Sequence, residues 1–487
     1  MTNAPILIVV IPIFTALVIT LLDLTRIRAF SGHLAIVCLG LSFGFALTLA
    51  PQILGGENVI YTLGSWDQII GVSLLVDHLS LFMVLLGNFL GFLVLIHSLA
   101  EGKYNPKFYA LVLIMMSGIS GAFLSGDIFN LFVFMEVLSI SSYILVAHYG
   151  HKGSLLAGIN YLLISSVGII FLLFGIGILY RYIGTLNMID MGEKIPRFIS
   201  ESPRAIILML ALFIVGFGVK CAMFPLHTWL PDAHSIAPSP VSALLSGIVI
   251  KVGIYALLRT IQIFRLSPII GSMYTLLLYT GAVTAVFGAI MALVQSDLKR
   301  LLAYSSINQI GYILIGIGLG TELGTTGAWL HIANHGVAKS CLFLCAGTII
   351  ERTGRRKISE LALVAKEMPG ITTIFILASL SLMGIPPAGG FFSKLMIGLS
   401  SAKGGHPIIA LLIFSTSIIT GAYFLRCIGF FFRGQVEHST LEKKFSSFTY
   451  LPLVLLVSGV FIVVFFPWVG EKILSFTSMP QEIIGPW

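Results

Sequence analysis

The stretch AIILMLALFIVGFGVKCAMFPLHTWL, residues 205–230, combines the two features on which the fold depends. It is apolar over more than the roughly 20 residues that cross a bilayer as a helix. It also contains a lysine, Lys220, followed by a proline, Pro225, which the interior of a regular helix does not accommodate. The sequence therefore predicts a membrane helix that breaks close to a buried charge.

The composition extends this interpretation to the whole chain. Of its 487 residues, 57% are hydrophobic and 10% are charged, and the mean hydropathy is +1.02. A soluble domain has about 25% charged residues, so lipid rather than water must cover most of this surface. In a membrane protein, the net charge of +8 indicates basic cytoplasmic loops and does not indicate nucleic-acid binding.

Fourteen apolar segments approach the length needed to span a bilayer. We predict an all-α membrane protein with a single polytopic domain over 1–487. The predicted spans are 4–22, 30–50, 74–99, 108–125, 127–148, 155–180, 205–230, 240–258, 272–293, 301–318, 325–350, 371–402, 406–432 and 448–469. The first span lacks a basic leader and a small-residue cleavage site, so we interpret it as a retained helix.

Lysine and arginine are unequally divided between the two sets of loops. The odd-numbered loops hold 15 of these residues, Lys299 among them, and the even-numbered loops with the termini hold 8, Arg259 among them. Positive charge favours the cytoplasm, so we predict that both termini lie outside.

The five cysteines all fall in apolar segments: Cys38, Cys221, Cys341, Cys345 and Cys427. None has partners at metal-ligand spacing, so we interpret them as small apolar residues. No iron–sulfur, haem or zinc motif is present in the sequence, and we expect no cofactor and no metal.

Four lysines and one acid lie deep within predicted spans: Glu136, Lys220, Lys251, Lys339 and Lys394. A charge at a lipid-exposed helix centre costs about 2.5–3.5 kcal/mol. These side chains must therefore face the protein interior, form pairs or contact water. Ion pairs that fix helix register are the structural alternative, but such pairs rarely add net stability over apolar packing. We interpret the set as functional.

Two histidines and a lysine form a regular row, His331, His335 and Lys339, in HIANHGVAKS (331–340). Their i, i+4, i+8 spacing places them on one helix face, about 6 Å apart along the axis, where a water can bridge them. Because histidine titrates near neutral pH, this His–Lys row is suited to carry protons. Zinc binding is the alternative, but no carboxylate or cysteine is evident on the same face.

A second helix break is predicted at GIPPAGG (384–390), where Pro386 and Pro387 precede Lys394. The two breaks fall in spans 7 and 12, and broken helices at corresponding positions indicate inverted repeats. We predict two inverted five-helix repeats, spans 4–8 over about 108–258 and spans 9–13 over about 272–432. Proline kinks without a role remain an open alternative.

Five motifs carry a family resemblance: GDIFNLFVFMEVLSISSYIL (126–145), PLHTWLPDAHSIAPSPVSALLSGIVIKVGIYALLR (225–259), DLKRLLAYSSINQIGY (297–312), HIANHGVAKSCLFL (331–344) and GIPPAGGFFSK (384–394). They resemble the signatures of antiporter-like, proton-translocating membrane subunits of respiratory complex I, Mrp-type cation/proton antiporters and membrane-bound hydrogenases. The run GTLNMIDM (184–191) and Lys394 make the chain most similar to the D subunit of Mrp antiporters. Some complex I relatives have glutamate at the position of Lys394.

The resemblance implies a proton relay. Its members would be Glu136 as the fifth-helix carboxylate, Lys220 as its partner, Lys251 as the central lysine, the row of His331, His335 and Lys339 as the connection, and Lys394 as the terminal lysine. Three further residues match the loop beside the first break, namely His227, Asp232 and His234, for which helix capping and loop hydrogen bonding are the alternative.

The resemblance also implies a component of a multisubunit complex in a prokaryotic cell membrane. Its partners would be other hydrophobic membrane subunits, protons and the lipid bilayer. Sodium transport stays open, because Glu136 and Asp127 are the only acids within or at the edge of the relevant spans. The parent complex also stays open between antiporter, hydrogenase, sulfane reductase and complex I, so no enzyme activity is assigned. An independent solute transporter and a purely structural scaffold are the alternatives from other classes.

Overall fold

A computed structural model describes residues 3–25, 28–66, 71–265, 267–433 and 447–465. The helices as far as position 263 are α1 (Ala4–Leu24), α2 (Ser31–Leu54), α3 (His78–Glu101), α4 (Pro106–Leu124), α5 (Ile128–Val146), α6 (Lys152–Ile183), α7 (Met188–Glu201), α8 (Pro203–Lys220), α9 (Trp229–Ile236), α10 (Ser239–Leu244) and α11 (Ile250–Ile263). The others are α12 (Ile270–Val294), α13 (Leu298–Gly318), α14 (Glu322–Thr353), α15 (Val364–Glu367), α16 (Pro369–Met383), α17 (Gly389–Lys403), α18 (Pro407–Phe431) and α19 (Ser447–Ile462).

Within these ranges, eleven helical segments are long and apolar enough to cross a membrane. One of them, Ser239–Ile263, consists of α10, a π-helical turn (Leu245–Val249) and α11. The three other predicted spans coincide with α14, with the interrupted pair α16–α17, and with α19. The end of the last predicted span, 466–469, lies outside the described residues, as do Arg26, Lys443, Lys444 and Lys472.

The start of the third predicted span is wrong. Residues Ser73–Val76 form a strand, β2, that pairs antiparallel with β1 (Val59–Thr62). Helix α3 begins only at His78, because the Asp77 carboxylate accepts a hydrogen bond of 2.8 Å from the Ser80 amide and so caps the first turn. The apolar run there crosses a strand–helix boundary, and hydropathy alone does not detect such a boundary.

Both predicted helix breaks are present. Helix α8 ends at Lys220, and an irregular segment with Pro225 leads to α9. Helix α16 ends at Met383, and the segment with Pro386 and Pro387 leads to α17. Gly384 ends α16 with a φ of +81°, a left-handed conformation that favours glycine.

The π-helical turn Leu245–Val249 is a third irregularity, which the sequence analysis did not predict. It lies in a segment that is buried along its whole length, just before Lys251. A π-turn widens the helix locally and displaces main-chain carbonyls from their regular hydrogen bonds. The turn thus alters the backbone beside a buried charge.

Two parts of the chain share a local architecture. Asp127 caps α5 and Asp297 caps α13. The backbone of Asp127 also forms an isolated antiparallel β-bridge with that of Asn187, beyond α6. The backbone of Asp297 forms the same kind of β-bridge with that of Lys357, beyond α14. Helices α6 and α14 each have 32 residues. An Asp-capped helix followed by a 32-residue helix thus comes after α4 in the first part of the chain and after α12 in the second part.

Helix α14 lies at the centre of the second part, packed against α3, α10, α13, α16 and α17. Its neighbour α13 is held by α12 through glycines. A Cβ atom added at Gly281 of α12 would lie 2.8 Å from the Ile315 nitrogen of α13, so only glycine permits this approach. The tight pairing fixes the polar face of α13 against α14.

A bidentate ion pair links α3 to α11. Arg259 Nη1 lies 2.6 Å from Asp77 Oδ2, and Nη2 lies 2.8 Å from Oδ1. Arg259 Nε also donates to Tyr255 Oη at 2.8 Å, and that hydroxyl donates to the Phe123 carbonyl of α4 at 2.5 Å. The assignment of Arg259 to a loop was wrong, because the side chain is buried and joins three helices.

We predict that Arg259→Gln lowers the free energy of unfolding by about 3–5 kcal/mol, the cost of leaving one partner of a buried pair without its counter-ion. Thermal unfolding of the purified protein measures the loss. As the control, Arg197→Gln removes an exposed pair with Glu201 and should leave the stability close to that of the wild type. Equal losses in the two variants would contradict a structural role for the Asp77 pair.

Candidate functional site

The four lysines predicted within spans are all buried, and none is paired with an acid of the part of the chain that the structure describes. Lys251 and Lys339 are 0% exposed, Lys394 is 3% and Lys220 is 6% exposed. Across the described ranges, none of the four forms an ion pair within 4.0 Å. Their amines instead donate to hydroxyl groups and main-chain carbonyls.

Lys220, the last residue of α8, is held by two serines. Its Nζ donates to Ser165 Oγ of α6 at 2.7 Å and to Ser139 Oγ of α5. Glu136 lies one helical turn before Ser139 and interacts electrostatically with Lys220, and its Oε1 is buried without a hydrogen-bond partner in the described structure. The structure therefore brings Glu136 and Lys220 into one cluster but does not pair them directly.

Lys251 depends on the π-helical turn. Its Nζ donates to the carbonyl of Ser246, inside that turn. The Ser246 hydroxyl in turn lies 2.7 Å from the Ser306 hydroxyl of α13. The irregular backbone thus supplies the acceptor for this amine.

Lys339 and Lys394 also bond to backbone carbonyls. Lys339 Nζ donates to the Leu302 carbonyl at 2.8 Å and to Ser305 Oγ, both on α13. Lys394 Nζ donates at 2.6 Å to the Leu382 carbonyl, one of the last in α16, where carbonyls lack a partner within the helix. It also lies 4.6 Å from the centre of the Tyr312 ring, a cation–π distance.

The His–Lys row occupies one face of α14, as its spacing predicts. The rings of His331 and His335 are nearly parallel, with centres 6.3 Å apart. His331 Nδ1 lies 2.8 Å from Ser393 Oγ of α17, and Nε2 lies 3.0 Å from Gln309 Oε1 of α13. Neither ring nitrogen of His335 has a hydrogen-bond partner in the described part of the chain.

A polar network on α13 and α18, which the sequence analysis did not assign, continues from His331. Gln309 Nε2 donates to Asn308 Oδ1 at 2.7 Å, and Thr420 Oγ1 donates to the same oxygen at 3.1 Å. Tyr312 Oη donates to Thr416 Oγ1 at 2.8 Å. The signal available in the sequence was the polar run SSINQ (305–309) inside an apolar span.

The three loop residues predicted beside the first break have different surroundings. Asp232 is half-exposed and lies 3.1 Å from Arg300, which is a surface ion pair. His227 packs against Phe287, with ring centres 4.7 Å apart. Of the three, His234 alone is fully buried, and neither of its ring nitrogens has a hydrogen-bond partner within the described ranges.

Lys299 was counted among the loop residues, but it lies in the first turn of α13. The side chain is buried, and its Nζ donates at 2.8 Å to the Ala237 carbonyl at the end of α9. It follows the α13 cap Asp297 by only two positions, so its place in the sequence resembles that of a surface charge.

The histidines that the structure describes are not arranged around a common metal position. In the described ranges, no three side chains of the metal-ligating types converge. Both nitrogens of His331 are engaged by Ser393 and Gln309, which argues against zinc for this pair.

The order of these motifs along the chain matches one family. The family model described as "NADH:quinone oxidoreductase/Mrp antiporter, TM" matches residues 125–420, which contain all seven predicted relay residues. The chain belongs to this family. The resemblance inferred from the sequence motifs is confirmed.

Two relatives at more than 30% identity illustrate the similarity. The chain is 36% identical to the N subunit of the NADH-quinone oxidoreductase of Desulforudis audaxviator over 433 residues, covering 88% of this chain and 86% of the relative. It is 32% identical to the D subunit of the Na(+)/H(+) antiporter of Alkalihalophilus pseudofirmus over 447 residues, covering 91% and 89%.

Solved structures show the same fold. A chain of the membrane-bound sulfane sulfur reductase, an archaeal respiratory membrane complex, superposes with a TM-score of 0.90 at 27% identity, covering 98% of this chain and 97% of that one. A chain of the Mrp complex from Dietzia sp. gives a TM-score of 0.87 at 24% identity, with the same coverage. The fold is therefore that of subunits in multisubunit membrane complexes.

We predict that Lys339→Met leaves thermal stability unchanged or raises it, because an apolar side chain avoids the cost of burying an amine. The acceptor Ser305 would not be left unpaired, since its hydroxyl also bonds to the Leu302 carbonyl at 3.2 Å. Thermal unfolding of the Lys339→Met and Arg259→Gln variants under the same conditions compares their stability changes. A loss as large as that of Arg259→Gln would favour the structural-scaffold alternative.

Proposed function

We propose that this chain is the proton-translocating, antiporter-like subunit of a multisubunit membrane complex. The observation that carries the proposal is that four buried lysines, unpaired with acids in the described structure, are held by hydroxyl groups and main-chain carbonyls. A scaffold gains little from such lysines, whereas a relay requires groups that bind and release a proton. The proposed relay consists of Glu136, Lys220, Lys251, His331, His335, Lys339 and Lys394.

We infer that two inverted repeats frame this relay. The first comprises α4, α5, α6, α8 with α9, and α10–α11, and the second comprises α12, α13, α14, α16–α17 and α18. The matched Asp127 and Asp297 caps, the two 32-residue helices and the two breaks support this division. With α1–α3 and α19, it gives fourteen crossings, and the loop charges favour both termini outside the cytoplasm.

Proton release from these lysines does not require an ion pair to break. Each amine is held by neutral oxygen atoms, so losing the proton leaves no buried carboxylate without its counter-ion. Lys220 differs from the other three lysines, because its amine interacts electrostatically with the Glu136 carboxylate. Movement of Lys220 between its serines and Glu136 would therefore decide when its proton passes toward Lys251.

From Lys251, the path continues along α14. His335 lies between His331 and Lys339, and its two ring nitrogens have no hydrogen-bond partner in the described structure. Buried polar atoms of this kind are usually satisfied by ordered water, which can connect neighbouring members of the row. His331 then contacts Ser393, the neighbour of Lys394 on α17.

We assign proton transfer, and not sodium binding, to this chain. Sodium prefers several oxygen ligands, as other hard cations do, whereas the buried path is built mainly from amines and imidazoles. The two relatives belong to an antiporter and to a quinone oxidoreductase, so the named activities of their complexes differ. A proton relay is the role that suits either kind of partner, and cation exchange would depend on the other subunits.

We predict that Lys220→Ala and Glu136→Ala each abolish proton transport while the complex still assembles. Membrane vesicles that contain the whole complex and a pH-sensitive dye measure transport, and co-purification of the partner subunits measures assembly. As the control, Lys194→Ala removes a lysine that pairs with Asp190 at 2.8 Å on the half-exposed face of α7. Undiminished proton flux in the assembled Lys220→Ala variant would overturn the proposal.

A further inference from the structure

A second cluster of titratable side chains lies where α3 and α14 end, outside the relay described above. It consists of His97 and Glu101 on α3, Lys103 in the following loop and Glu351 on α14. We infer that this cluster is a proton port that connects the aqueous phase at that end of the bundle to the lysines of the relay, through Lys299 and His234. The inference rests on the proposed function.

The outer part of the port contacts solvent. Lys103 Nζ lies 2.6 Å from Glu351 Oε2 and 3.1 Å from Glu101 Oε2. The Lys103 and Glu351 side chains are 34% and 42% exposed, whereas that of Glu101 is only 7% exposed. Glu101 is thus a carboxylate just beneath the surface, covered by a partly exposed ion pair that can open to water.

The inner part begins at His97, which is fully buried. Its Nδ1 lies 3.6 Å from Glu101 Oε1, and its Nε2 lies 3.4 Å from Thr348 Oγ1 of α14. Nδ1 of His97 therefore lies near the Glu101 carboxylate, and Nε2 faces Thr348 in the protein interior. Histidine in this position can accept a proton on one nitrogen and release one from the other.

The packing of α14 against α10 brings His97 and Thr348 close to Lys299. Gly347, next to Thr348, packs so tightly against Ser239 that a Cβ atom there would overlap the serine side chain. Two positions before Ser239, the Ala237 carbonyl accepts the hydrogen bond from Lys299. Lys299 also interacts electrostatically with Glu101 and Lys103.

His234 completes the connection to the relay. Its ring stacks on Phe343 of α14 with centres 4.7 Å apart. It interacts electrostatically with Lys299 and with two lysines of the relay, Lys339 and Lys251. Both ring nitrogens lack a protein partner within the described ranges, as in His335 of the relay. A histidine that served only to pack would not need to lie within electrostatic reach of three buried lysines.

Each step in the port moves one proton. A hydronium ion of the aqueous phase gives up an O–H bond as a new O–H bond forms on Glu101. That bond breaks as an N–H bond forms on His97, and the same exchange continues through Lys299 and His234 until the proton passes to a lysine of the relay. Glu101 and Lys299 then return to their starting states, each histidine regains its first tautomer when its ring turns, and no electron is transferred. The sequence runs equally well in the opposite direction.

The test is the pH profile of proton transport by the intact complex carrying Glu101→Gln. The amide keeps the size of the side chain but cannot carry a proton. We expect the initial rate to fall on the order of tenfold at alkaline pH on the port side, since a positioned acid–base group contributes at least about that much. The rate should recover as that side is acidified, because bulk protons then reach the inner groups directly.

Other titratable groups that face Glu101 are Tyr104, Tyr109 and Tyr149. Free phenols have a pKa of about 10, above the range of the test. Glu360→Gln is the matched control, because Glu360 is an exposed acid paired with Lys357 at 3.6 Å in the segment that follows α14. Its profile should equal that of the wild type.

A Glu101→Gln profile equal to the wild type, or reduced evenly at every pH, would overturn the port. If this variant does not assemble, His97→Asn carries the same test with the same expected profile. Lys220→Ala is measured in parallel. Undiminished transport in Lys220→Ala would overturn the proposed function, whereas its loss together with a normal Glu101→Gln profile would overturn the port alone.

Discussion

The burial of amines away from carboxylates is the constraint on which the rest of this structure depends. Lys220, Lys251, Lys339 and Lys394 are removed from water, yet none has an acid within 4.0 Å in the described ranges. An isolated charge in such surroundings is costly unless oxygen atoms surround it. The protein therefore has to present hydroxyl groups and carbonyls at membrane depth, where a regular helix bonds all its carbonyls to itself.

The backbone irregularities satisfy this requirement. Ser246 offers its carbonyl from the π-helical turn, Leu382 from the broken end of α16, and Ala237 from the end of α9. Each carbonyl receives one lysine amine. Irregular backbone at membrane depth is tolerated only where it is buried in protein or lines water, so the breaks and the lysines depend on each other. Two lysines differ: Lys220 is held by two serine hydroxyls at the end of α8, and Lys339 by the Leu302 carbonyl and the Ser305 hydroxyl within α13.

The sequence predicted the parts of this arrangement that follow from periodicity and charge. The His–Lys row lies on one face of α14, and the proline breaks interrupt the two expected helices. The π-turn escaped prediction because nothing in the segment LSGIV (245–249) distinguishes a π-turn from an α-turn. Lys299 and Arg259 were assigned to loops because they lie near helix ends, and only tertiary packing shows that they are buried. The family resemblance implied that Glu136 and Lys220 are partners, but spacing did not reveal the two serines that hold the Lys220 amine.

The central claim is that the buried lysines release protons and do not merely carry charge, and Lys251 tests it most directly. Arginine keeps the positive charge but does not lose its proton in proteins, whereas methionine removes both. The measurement is proton transport by the whole complex in sealed vesicles, with assembly checked by co-purification. The account predicts that Lys251→Arg and Lys251→Met both abolish transport in assembled complexes. Transport by Lys251→Arg at the wild-type rate would contradict it, because charge without proton release would then be sufficient.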